Sequence, residues 1–234
     1  MELDRWQASA DAWIEHVDTG DDLRESTLDP IMIRHVIAAH PARLVDLGCG
    51  EGRFCRMLRK RGYSPLGLEI TPKLVAAAKK RDSTGDYARA SALAIPLANG
   101  SIDVVVTYIV LIDIEQHDIV AREVTRILKP GGKWIDAHVC PFRTASDTPW
   151  IRGSKGERLH VPVEQYARER PIRAAWKGID VVNYHRSLSG YWAPFLDARL
   201  RLVAFEEPTP SPELALHDGD LRVPLGMVSV WEKE

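Results

Sequence analysis

A hydrophobic segment that runs directly into regularly spaced glycines is the part of the sequence that points most clearly to chemistry. Residues 45–52 read VDLGCGEG and place Gly48, Gly50 and Gly52 at alternate positions. Glycine permits positive φ angles and leaves no side chain between the backbone and a ligand, and a following helix start offers free N–H groups. The pattern predicts a strand, a turn and a helix at which the main chain binds a nucleotide-like ligand.

Two acidic residues restrict the chemistry of that ligand. Glu69 follows Gly50 by about 20 residues, the spacing at which an acidic side chain accepts hydrogen bonds from ribose hydroxyls. Asp46 precedes the loop, where it would repel a pyrophosphate, and Arg53 replaces the third glycine of a dinucleotide fingerprint. These residues disfavour NAD. They suit S-adenosylmethionine, an adenosine that carries a sulfonium and an ammonium and has no phosphate.

Apolar and helical segments alternate around this loop, a pattern typical of βαβ units and a parallel sheet. Thr71 is the expected N-cap of the second helix, and Pro72 its first residue. The expected strands span residues 43–48, 63–69, 87–90, 102–108 and 133–139, and the expected helices span 52–61, 72–81 and 117–128.

The flanking segments are expected to complete one domain. Trp6 and Trp13 lie on the apolar face of an expected N-terminal helix. Residues 141–178 have weak periodicity and indicate a long excursion, which is expected to form most of an inserted lid over 141–187, since long insertions in compact domains are usually functional. A strand is expected over 179–186, a helix over 188–198, and an antiparallel edge hairpin from strands 200–206 and 227–231.

The sequence therefore predicts an α/β fold with a doubly wound, mostly parallel, seven-stranded sheet, in which residues 1–234 form a single domain. Residues 1–40 are its expected helical cover, 41–140 its cofactor-binding core, 141–187 an acceptor lid, and 188–234 the C-terminal helix and edge strands.

Composition and charge restrict the class of protein. With 45% hydrophobic and 27% charged residues, the chain has the composition of a soluble globular protein. The net charge of −2 gives no electrostatic reason to bind a polyanion, so a nucleic-acid partner is disfavoured. The longest apolar stretch, Val104 to Ile112, is far shorter than the roughly 20 residues of a membrane span, so no membrane partner is expected.

Cysteine and histidine usage bears on compartment and metals. The three cysteines lack CxxC spacing, which argues against a disulfide framework or a structural zinc site and favours a reducing, cytoplasmic setting. The eight histidines are scattered and show no metal-ligand spacing, so no metal is expected.

The sequence resembles the class I S-adenosylmethionine-dependent methyltransferases, specifically the small-molecule branch of the ubiquinone-biosynthesis type, methyltransferase type 11. The resemblance is carried by VDLGCGEGRF at 45–54, GLEIT at 67–71, ALAIPLANGSIDVVV at 92–106 and REVTRILKPGGKW at 122–134. It implies a Rossmann-like fold, S-adenosylmethionine as cofactor, S-adenosylhomocysteine as product and a small-molecule acceptor.

The resemblance also implies cofactor roles for individual residues. The glycine loop corresponds to Gly48, Cys49 and Gly50, the ribose acid to Glu69, and the adenine-packing residue to Ile70.

Three further residues complete the implied cofactor site. Ser91 stands where the family usually has a carboxylate near the adenine amino group, and the backbone of Ala92 could then bind much of the adenine. Tyr108, at the end of the fourth strand, would lie beside the methionine portion.

Arg24 is a further candidate, because a guanidinium matches the methionine carboxylate with two parallel hydrogen bonds. A solvated loop arginine is the alternative.

Acceptor residues are expected beyond the carboxyl ends of the strands. His138 ends the fifth strand, where a neutral imidazole could take a proton from a hydroxyl, a thiol or a carbon acid. A structural histidine is the alternative. Tyr184, His185 and Arg186 resemble the segment that closes over the acceptor in many of these enzymes.

The expected reaction is in-line methyl transfer to O, N, S or C of a small molecule. The alternatives are methylation of a nucleobase, a tRNA or a protein, or cofactor binding without turnover. The acceptor and the oligomeric state have no signature that we could identify in the sequence.

Overall fold

The computed structural model describes residues 2–21, 23–148, 150–215 and 218–234. The strands are β1 (Leu44–Leu47), β2 (Leu66–Glu69), β3 (Asp86–Arg89), β4 (Ile102–Tyr108), β5 (Leu128–Val139), β6 (Ile151–Arg152), β7 (Arg158–His160), β8 (Arg170–Trp176), β9 (Ile179–His185), β10 (Leu200–Glu206) and β11 (Gly226–Lys233). The helices are α1 (Glu2–Asp18), α2 (Asp29–Ala39), α3 (Arg53–Arg59), α4 (Pro72–Arg81), α5 (His117–Ile127), α6 (Leu188–Asp197) and α7 (Asp218–Arg222).

Seven strands form the central sheet, in the order β10–β11–β5–β4–β1–β2–β3. The neighbouring strands from β5 to β3 are parallel, whereas β11 runs antiparallel to both β5 and β10. The prediction of a doubly wound, mostly parallel, seven-stranded sheet with an antiparallel pair at one edge is confirmed. β10 is the edge strand, and β11 lies between it and β5.

The sheet is buried on both faces, which explains why its central strands are almost continuously apolar. On one face, α5 and α6 enclose a cluster in which Trp134 and Phe195 stack with ring centroids 4.1 Å apart. On the other face, α2 and α3 pack around Met32 and Leu58, both fully buried. The carboxyl ends of the parallel strands are left to form a site.

Two local predictions need correction. Thr71 occupies the N-cap position of α4, but its side chain makes no cap hydrogen bond. Its backbone N–H instead donates to the carboxylate of Glu69, at 2.7 Å. The expected strand over 133–139 begins earlier, because residues 128–132 also belong to β5, where a register shift between Ile102 and Val104 accommodates the extra residues.

The expected lid contains two antiparallel hairpins, β6–β7 and β8–β9. The strand expected over 179–186 is β9, and it pairs with β8 and not with the central sheet. The β8–β9 hairpin packs on α1, where the N–H of Asp180 donates to the hydroxyl of Ser9 at 3.0 Å. The β8–β9 hairpin and α1 are therefore packed together.

Some of the chain falls outside this description. Met1 and Asp22 of the expected cover, Pro149 of the expected lid, and Leu216 and His217 of the C-terminal part lie outside the described residues. Within the described ranges, no helix combines the length and the apolar character needed to cross a bilayer. The division into cover, core and lid stays a prediction.

Candidate cofactor and acceptor site

A cavity of about 400 Å³ lies at the carboxyl ends of β1, β2 and β4. Its walls come from the glycine loop, from segments that follow β2, β3 and β4, and from α1 with the turn after it. Trp176 and Asn183 of the β8–β9 hairpin close it on one side. Open α/β sheets bind ligands at this position, because the strand ends leave a crevice there.

The glycine loop brings bare main chain to the cavity. Gly48 and Gly50 have φ angles of 75° and 56°. A Cβ at Gly48 would lie 2.6 Å from the side chain of Val110. The amides of Gly48 and Cys49 donate to the carbonyl of Leu68, at 2.7 and 3.1 Å, so these N–H groups hold the loop and are not left for a ligand.

Glu69 connects the end of β2 to this loop. Its Oε2 accepts from the N–H of Gly50 at 3.1 Å, and its Oε1 accepts from Thr71. Burial raises the pKa of the Glu69 carboxyl, and hydrogen bonds from Thr71, Gly50 and Ile70 oppose that rise. Each carboxylate oxygen can accept a second hydrogen bond, so Glu69 can hold the loop and bind a ligand hydroxyl together.

Asp46 lies beneath the loop with 1% of its surface exposed. Its Oδ2 accepts from the thiol of Cys55 at 3.2 Å, whereas its Oδ1 has no hydrogen-bond partner among the described residues. Burial raises the pKa of Asp46 to about 7, and the nearby acids Glu69 and Glu51 add to the rise. Asp46 and Cys49 line a smaller cavity of about 50 Å³ next to the first. The unpartnered oxygen suits a cationic or donating ligand group.

Arg24 lines both cavities. Its guanidinium lies 5.0 Å from the ring centre of Trp13 and 5.4 Å from that of Tyr108. It also donates to the carboxylate of Asp21. Burial alone would raise the pKa of Asp21, but the charge and hydrogen bonds of Arg24 hold it below its usual value. A guanidinium has five donors, so this pair leaves capacity for a ligand carboxylate.

The residues expected near adenine line the same cavity. Ile70 is 38% exposed and offers an apolar surface to a ring. Ser91 and Ala92, on the segment after β3, also line the cavity, and the Ser91 hydroxyl accepts from the N–H of Leu93 at 3.2 Å. Ser91 therefore stabilises its own turn.

Tyr108 also lines the cavity, but its hydroxyl points away into a buried network. It donates to Asp29 at 2.7 Å, and Asp29 also forms an ion pair with Arg53. Burial and the carboxylate of Asp29 raise the pKa of Tyr108. Arg53, which stands where a dinucleotide fingerprint would have its third glycine, thus links the first turn of α3 to the first turn of α2.

The structure does not place His138 in the cavity. The residue is fully buried, and neither of its ring nitrogens has a hydrogen-bond partner among the described residues. Its ring packs edge-on against Tyr191, at 3.9 Å between centroids. Burial lowers the pKa of His138 to about 3, aided by the charges of Arg186 and His117. The imidazole is buried, neutral and outside the cavity lining, so the structure favours the alternative of a structural histidine over its assignment as a base.

Tyr184, His185 and Arg186 are likewise absent from the cavity wall. The ring nitrogens of His185 are bonded to Thr144 at 2.6 Å and to the carbonyl of Tyr166 at 3.0 Å. The guanidinium of Arg186 lies 5.3 Å from the ring centre of Tyr184. Arg186 fixes the connection after β4 by donating to the carbonyls of Leu111, Ile114 and Glu115.

The far end of the cavity carries polar residues that sequence reasoning missed. Asn183 lines it and donates to the carboxylate of Asp113 at 2.5 Å. Asn183 directly precedes the predicted Tyr184, and successive residues of a strand point to opposite faces. Asn183 therefore faces the cavity, whereas its neighbour Tyr184 points to the other side of β9. Within the described ranges, no three His, Cys, Asp or Glu side chains are grouped to hold a metal ion.

Comparison with known proteins shows what the part of the chain that carries the glycine loop is similar to. Residues 45–135 match the family model described as a methyltransferase domain. A malonyl-[acyl-carrier protein] O-methyltransferase from Enterobacter lignolyticus is 29% identical over 117 residues, which cover 50% of this chain and 46% of that protein. The aligned part thus spans less than half the length of that curated relative.

Solved structures extend the likeness to most of the chain. An S-adenosylmethionine-dependent methyltransferase from Mesorhizobium loti is 27% identical, with a TM-score of 0.76, and the match covers 87% of this chain and 96% of the other. A putative S-adenosylmethionine-dependent methyltransferase from Listeria monocytogenes, 24% identical with a TM-score of 0.73 and a match covering 87% of this chain and 98% of the other, has the same fold.

The neighbours imply S-adenosylmethionine as the cofactor, and the residues present fit it. The cavity joins a carboxylate beside bare main chain, a held guanidinium and an apolar side chain, with an unpartnered buried oxygen beneath the loop. These groups match the ribose, the carboxylate, the adenine and the ammonium of that cofactor. Residues 45–135 are therefore a methyltransferase domain of the class I, S-adenosylmethionine-dependent family.

Proposed function

We propose that the protein transfers the methyl group of S-adenosylmethionine to a small-molecule acceptor. The observation that carries the proposal is that one cavity unites the glycine loop, Glu69, Ile70 and Arg24 at the carboxyl ends of β1 and β2. Relatives named for a malonyl-[acyl-carrier protein] substrate align over less than half of their length, so their acceptor is not carried over.

The adenosine portion has three proposed partners. Glu69 accepts hydrogen bonds from the ribose hydroxyls and keeps its bond to the N–H of Gly50. Ile70 packs against the adenine ring, and the backbone at Ser91 and Ala92 binds the edge of the base. Because the Ser91 hydroxyl already accepts from Leu93, main-chain groups carry most of the adenine recognition in this proposal.

The methionine portion of the cofactor carries a carboxylate and an ammonium group, and each is proposed to contact a side chain of opposite charge. Arg24, fixed between Trp13 and Tyr108, pairs with the carboxylate. The unpartnered Oδ1 of Asp46, beneath the loop formed by Gly48, Cys49 and Gly50, accepts from the ammonium. A charge-assisted hydrogen bond is roughly twice as strong as a neutral one, so these two contacts select a zwitterionic amino acid.

The chain itself has little covalent chemistry to perform. Bound S-adenosylmethionine supplies a methyl group that its sulfonium has already activated. The protein has to hold the acceptor in line with that methyl group and exclude water. Trp6 and Trp13 of α1 and Trp176 of the β8–β9 hairpin line the cavity and provide that cover.

Calorimetric titration with S-adenosylmethionine, S-adenosylhomocysteine and NAD tests the proposal. We expect the first two to bind and NAD to give no heat of binding. Glu69→Ala should weaken cofactor binding by roughly 1.5–3 kcal/mol, the usual contribution of hydrogen bonds to a charged group. Glu115→Ala removes an exposed carboxyl outside the cavity and should leave the affinity unchanged.

Two results would contradict the proposal. If the folded protein binds neither S-adenosylmethionine nor S-adenosylhomocysteine, the cavity is not a cofactor site. If Glu69→Ala folds normally and keeps full affinity, the ribose assignment fails although the cofactor could still bind elsewhere in the cavity.

A further inference from the structure

A buried hydrogen-bond network connects Arg53 of α3 to the ring of Tyr108. The guanidinium of Arg53 donates to both carboxylate oxygens of Asp29 in the first turn of α2, and one of these two bonds is 3.1 Å long. The hydroxyl of Tyr108 donates to the same carboxylate at 2.7 Å. Phe54 packs edge-on against the Tyr108 ring, with 5.1 Å between centroids. Asp29 and Phe54 therefore fix the orientation of this ring.

The fixed ring of Tyr108 is one of three groups that hold Arg24. The Arg24 guanidinium lies 5.4 Å from the centre of this ring and 5.0 Å from that of Trp13, and it forms an ion pair with Asp21. A guanidinium binds a carboxylate through two parallel hydrogen bonds only when its plane is correctly oriented. The Tyr108 ring therefore helps to determine whether Arg24 can make both bonds to the methionine carboxylate.

Arg53 also affects the charge around Arg24. Both arginines line the smaller cavity. Three carboxylates lie within 4 Å of one or the other guanidinium, and they belong to Asp21, Glu25 and Asp29. The Nε2 of His16 lies 3.9 Å from the carboxylate of Asp21, and this imidazole offsets negative charge only when it is protonated. Without Arg53, three carboxylates would share a single guanidinium, and the uncompensated charge would oppose binding of a further carboxylate.

We propose that Asp29 and Arg53 are positioning residues for recognition of the cofactor carboxylate. Asp29 acts through Tyr108 to hold Arg24 in its binding orientation, and Arg53 balances the charge of Asp29. The network thereby selects intact S-adenosylmethionine over its decarboxylated form. The inference rests on the proposed function and explains the arginine at position 53, because a glycine there would leave Asp29 without its ion pair.

Calorimetric titration with S-adenosylmethionine and decarboxylated S-adenosylmethionine tests the inference, because the two ligands differ only in the carboxylate. We expect the unsubstituted protein to prefer the intact cofactor by at least about tenfold. Tyr108→Phe keeps the ring and removes its bond to Asp29, and Arg53→Gln removes the balancing charge. Each should weaken binding of the intact cofactor about fivefold, and neither should weaken binding of the decarboxylated form by more than about twofold.

A double variant tests the role of charge separately. Asp29→Asn combined with Arg53→Gln removes both charges and keeps an oxygen for the Tyr108 hydroxyl. The affinity for S-adenosylmethionine should therefore return to within about twofold of that of the unsubstituted protein. If Arg53→Gln affinities match those of the double variant, charge balance is not the role of Arg53 and this part of the inference is wrong.

Matched controls are available outside both cavities. Tyr87→Phe removes a hydroxyl that donates to the carboxylate of Asp82 at 3.1 Å, and Arg59→Gln removes an ion-pair partner of the same carboxylate from α3. Both variants should leave the ratio of the two affinities unchanged. They reproduce the loss of a hydroxyl bond and of an ion pair at a distance from Arg24.

The outcomes separate this inference from the proposed function. If the unsubstituted protein binds neither ligand, the proposed function fails. If it binds both ligands equally, the cofactor assignment stands, but no carboxylate recognition exists and the inference fails. Where the preference exists, equal weakening of the two ligands in Tyr108→Phe, or an unchanged affinity for S-adenosylmethionine in that variant, would overturn the inference. Tyr108→Phe keeps every charge of the network, so it decides the question if Arg53→Gln does not fold.

Discussion

At the scale of single residues, Glu69 combines two tasks that a sequence motif treats as separate. The same carboxylate that faces the cavity also accepts the N–H of Gly50, so the ribose acid and the glycine loop hold each other in place. The motif predicted both residues because it demands specific residue types at fixed spacing. It could not predict the hydrogen bond between them, which depends on the parallel pairing of β1 with β2.

His138 illustrates the opposite case. A histidine at a strand end predicts a base only if the ring faces the ligand, and the sequence contains no signal for that direction. In the fold, Tyr191 of α6 packs onto the ring, so tertiary contacts decide its chemistry. Asp113 and Asn183 were missed for the same reason, since α1 and the β8–β9 hairpin enclose the cavity only in the folded chain.

Gly48 is expected to tolerate no side chain, for two separable reasons. Gly48→Ala would place a Cβ 2.6 Å from Val110 and would strain a backbone with a φ of 75°. Gly62→Ala imposes a similar strain at a φ of 87°, but it meets nothing within 4 Å. We expect a loss of about 1 kcal/mol in unfolding free energy for Gly62→Ala and about 2–4 kcal/mol for Gly48→Ala.

Urea denaturation of both variants measures the difference between them. In a Val110→Ala background, Gly48→Ala should cost less stability than it does in the unsubstituted protein. The Val110 atoms that would lie 2.6 and 2.7 Å from the new Cβ are then gone, whereas the Cβ of residue 110 at 3.2 Å and the backbone strain remain. Equal losses for Gly48→Ala and Gly62→Ala would mean that contact with Val110 does not require glycine.

At the scale of elements, sequence periodicity located the parallel core and failed in the expected lid. β4 and α4 have the bounds that were expected, because a buried strand and an amphipathic helix leave clear apolar patterns. β8 was missed because Pro171 and Arg173 interrupt the apolar residues of a strand that is only half buried. Its stability comes from pairing with β9 and from packing of the hairpin on α1, neither of which is a local property.

Ser9 is expected to hold the β8–β9 hairpin against α1. Its buried hydroxyl accepts from the N–H of Asp180 at 3.0 Å and lies 3.3 Å from the carbonyl of the same residue. Ser9→Ala leaves both main-chain groups without this partner, so local opening of the hairpin should become easier by roughly 1 kcal/mol. Tryptic cleavage after the exposed Lys177 at the hairpin tip should therefore accelerate about fivefold.

The control for this measurement is Ser101→Ala, which removes a hydroxyl bonded to the carbonyl of Ala98 far from the hairpin. It should leave the rate of cleavage at Lys177 unchanged. Ser9→Ala cleaved at the rate of the unsubstituted protein would show that other contacts of α1 with β9 hold the hairpin.

At the scale of the whole molecule, three buried titratable groups make global stability depend on pH in opposing ways. Burial raises the pKa values of Asp46 and Asp136 to about 7. Burial lowers the pKa of His138 to about 3. The two acids reduce the stability of the fold as the pH rises, and the histidine reduces it as the pH falls. Composition and net charge predict none of these effects, because each arises from burial.

Asp136 isolates one of these contributions. Its folded pKa of about 7 exceeds the unfolded value of 3.8, so its destabilising effect grows from about pH 4 to pH 7 and is complete above that range. Asp136→Asn keeps an oxygen that can accept from Thr107 and cannot ionise. The unfolding free energy of the variant should exceed that of the unsubstituted protein by about 1–4 kcal/mol over the range from pH 5 to pH 8, with the larger difference at pH 8.

Denaturant unfolding at the two pH values measures that gain. Thr107→Val removes the hydroxyl bonded to Asp136 at 2.6 Å. The unfolding free energy of this variant should fall more steeply with rising pH than that of the unsubstituted protein, because an ionised Asp136 would lose a donor. A difference between Asp136→Asn and the unsubstituted protein that is the same at pH 5 and pH 8 would mean that Asp136 titrates alike in the folded and unfolded chains.

The distribution of tryptophans makes the cavity an optical reporter of its own occupancy. Trp6, Trp13 and Trp176 line it, whereas Trp134 and Trp231 are buried in the core. Indole emission shifts in wavelength and intensity with local polarity, so a ligand that displaces water from the cavity changes the signal of the first group, while the core indoles supply a constant background. Binding of a ligand in the cavity should therefore shift the intrinsic tryptophan fluorescence of the unlabelled protein.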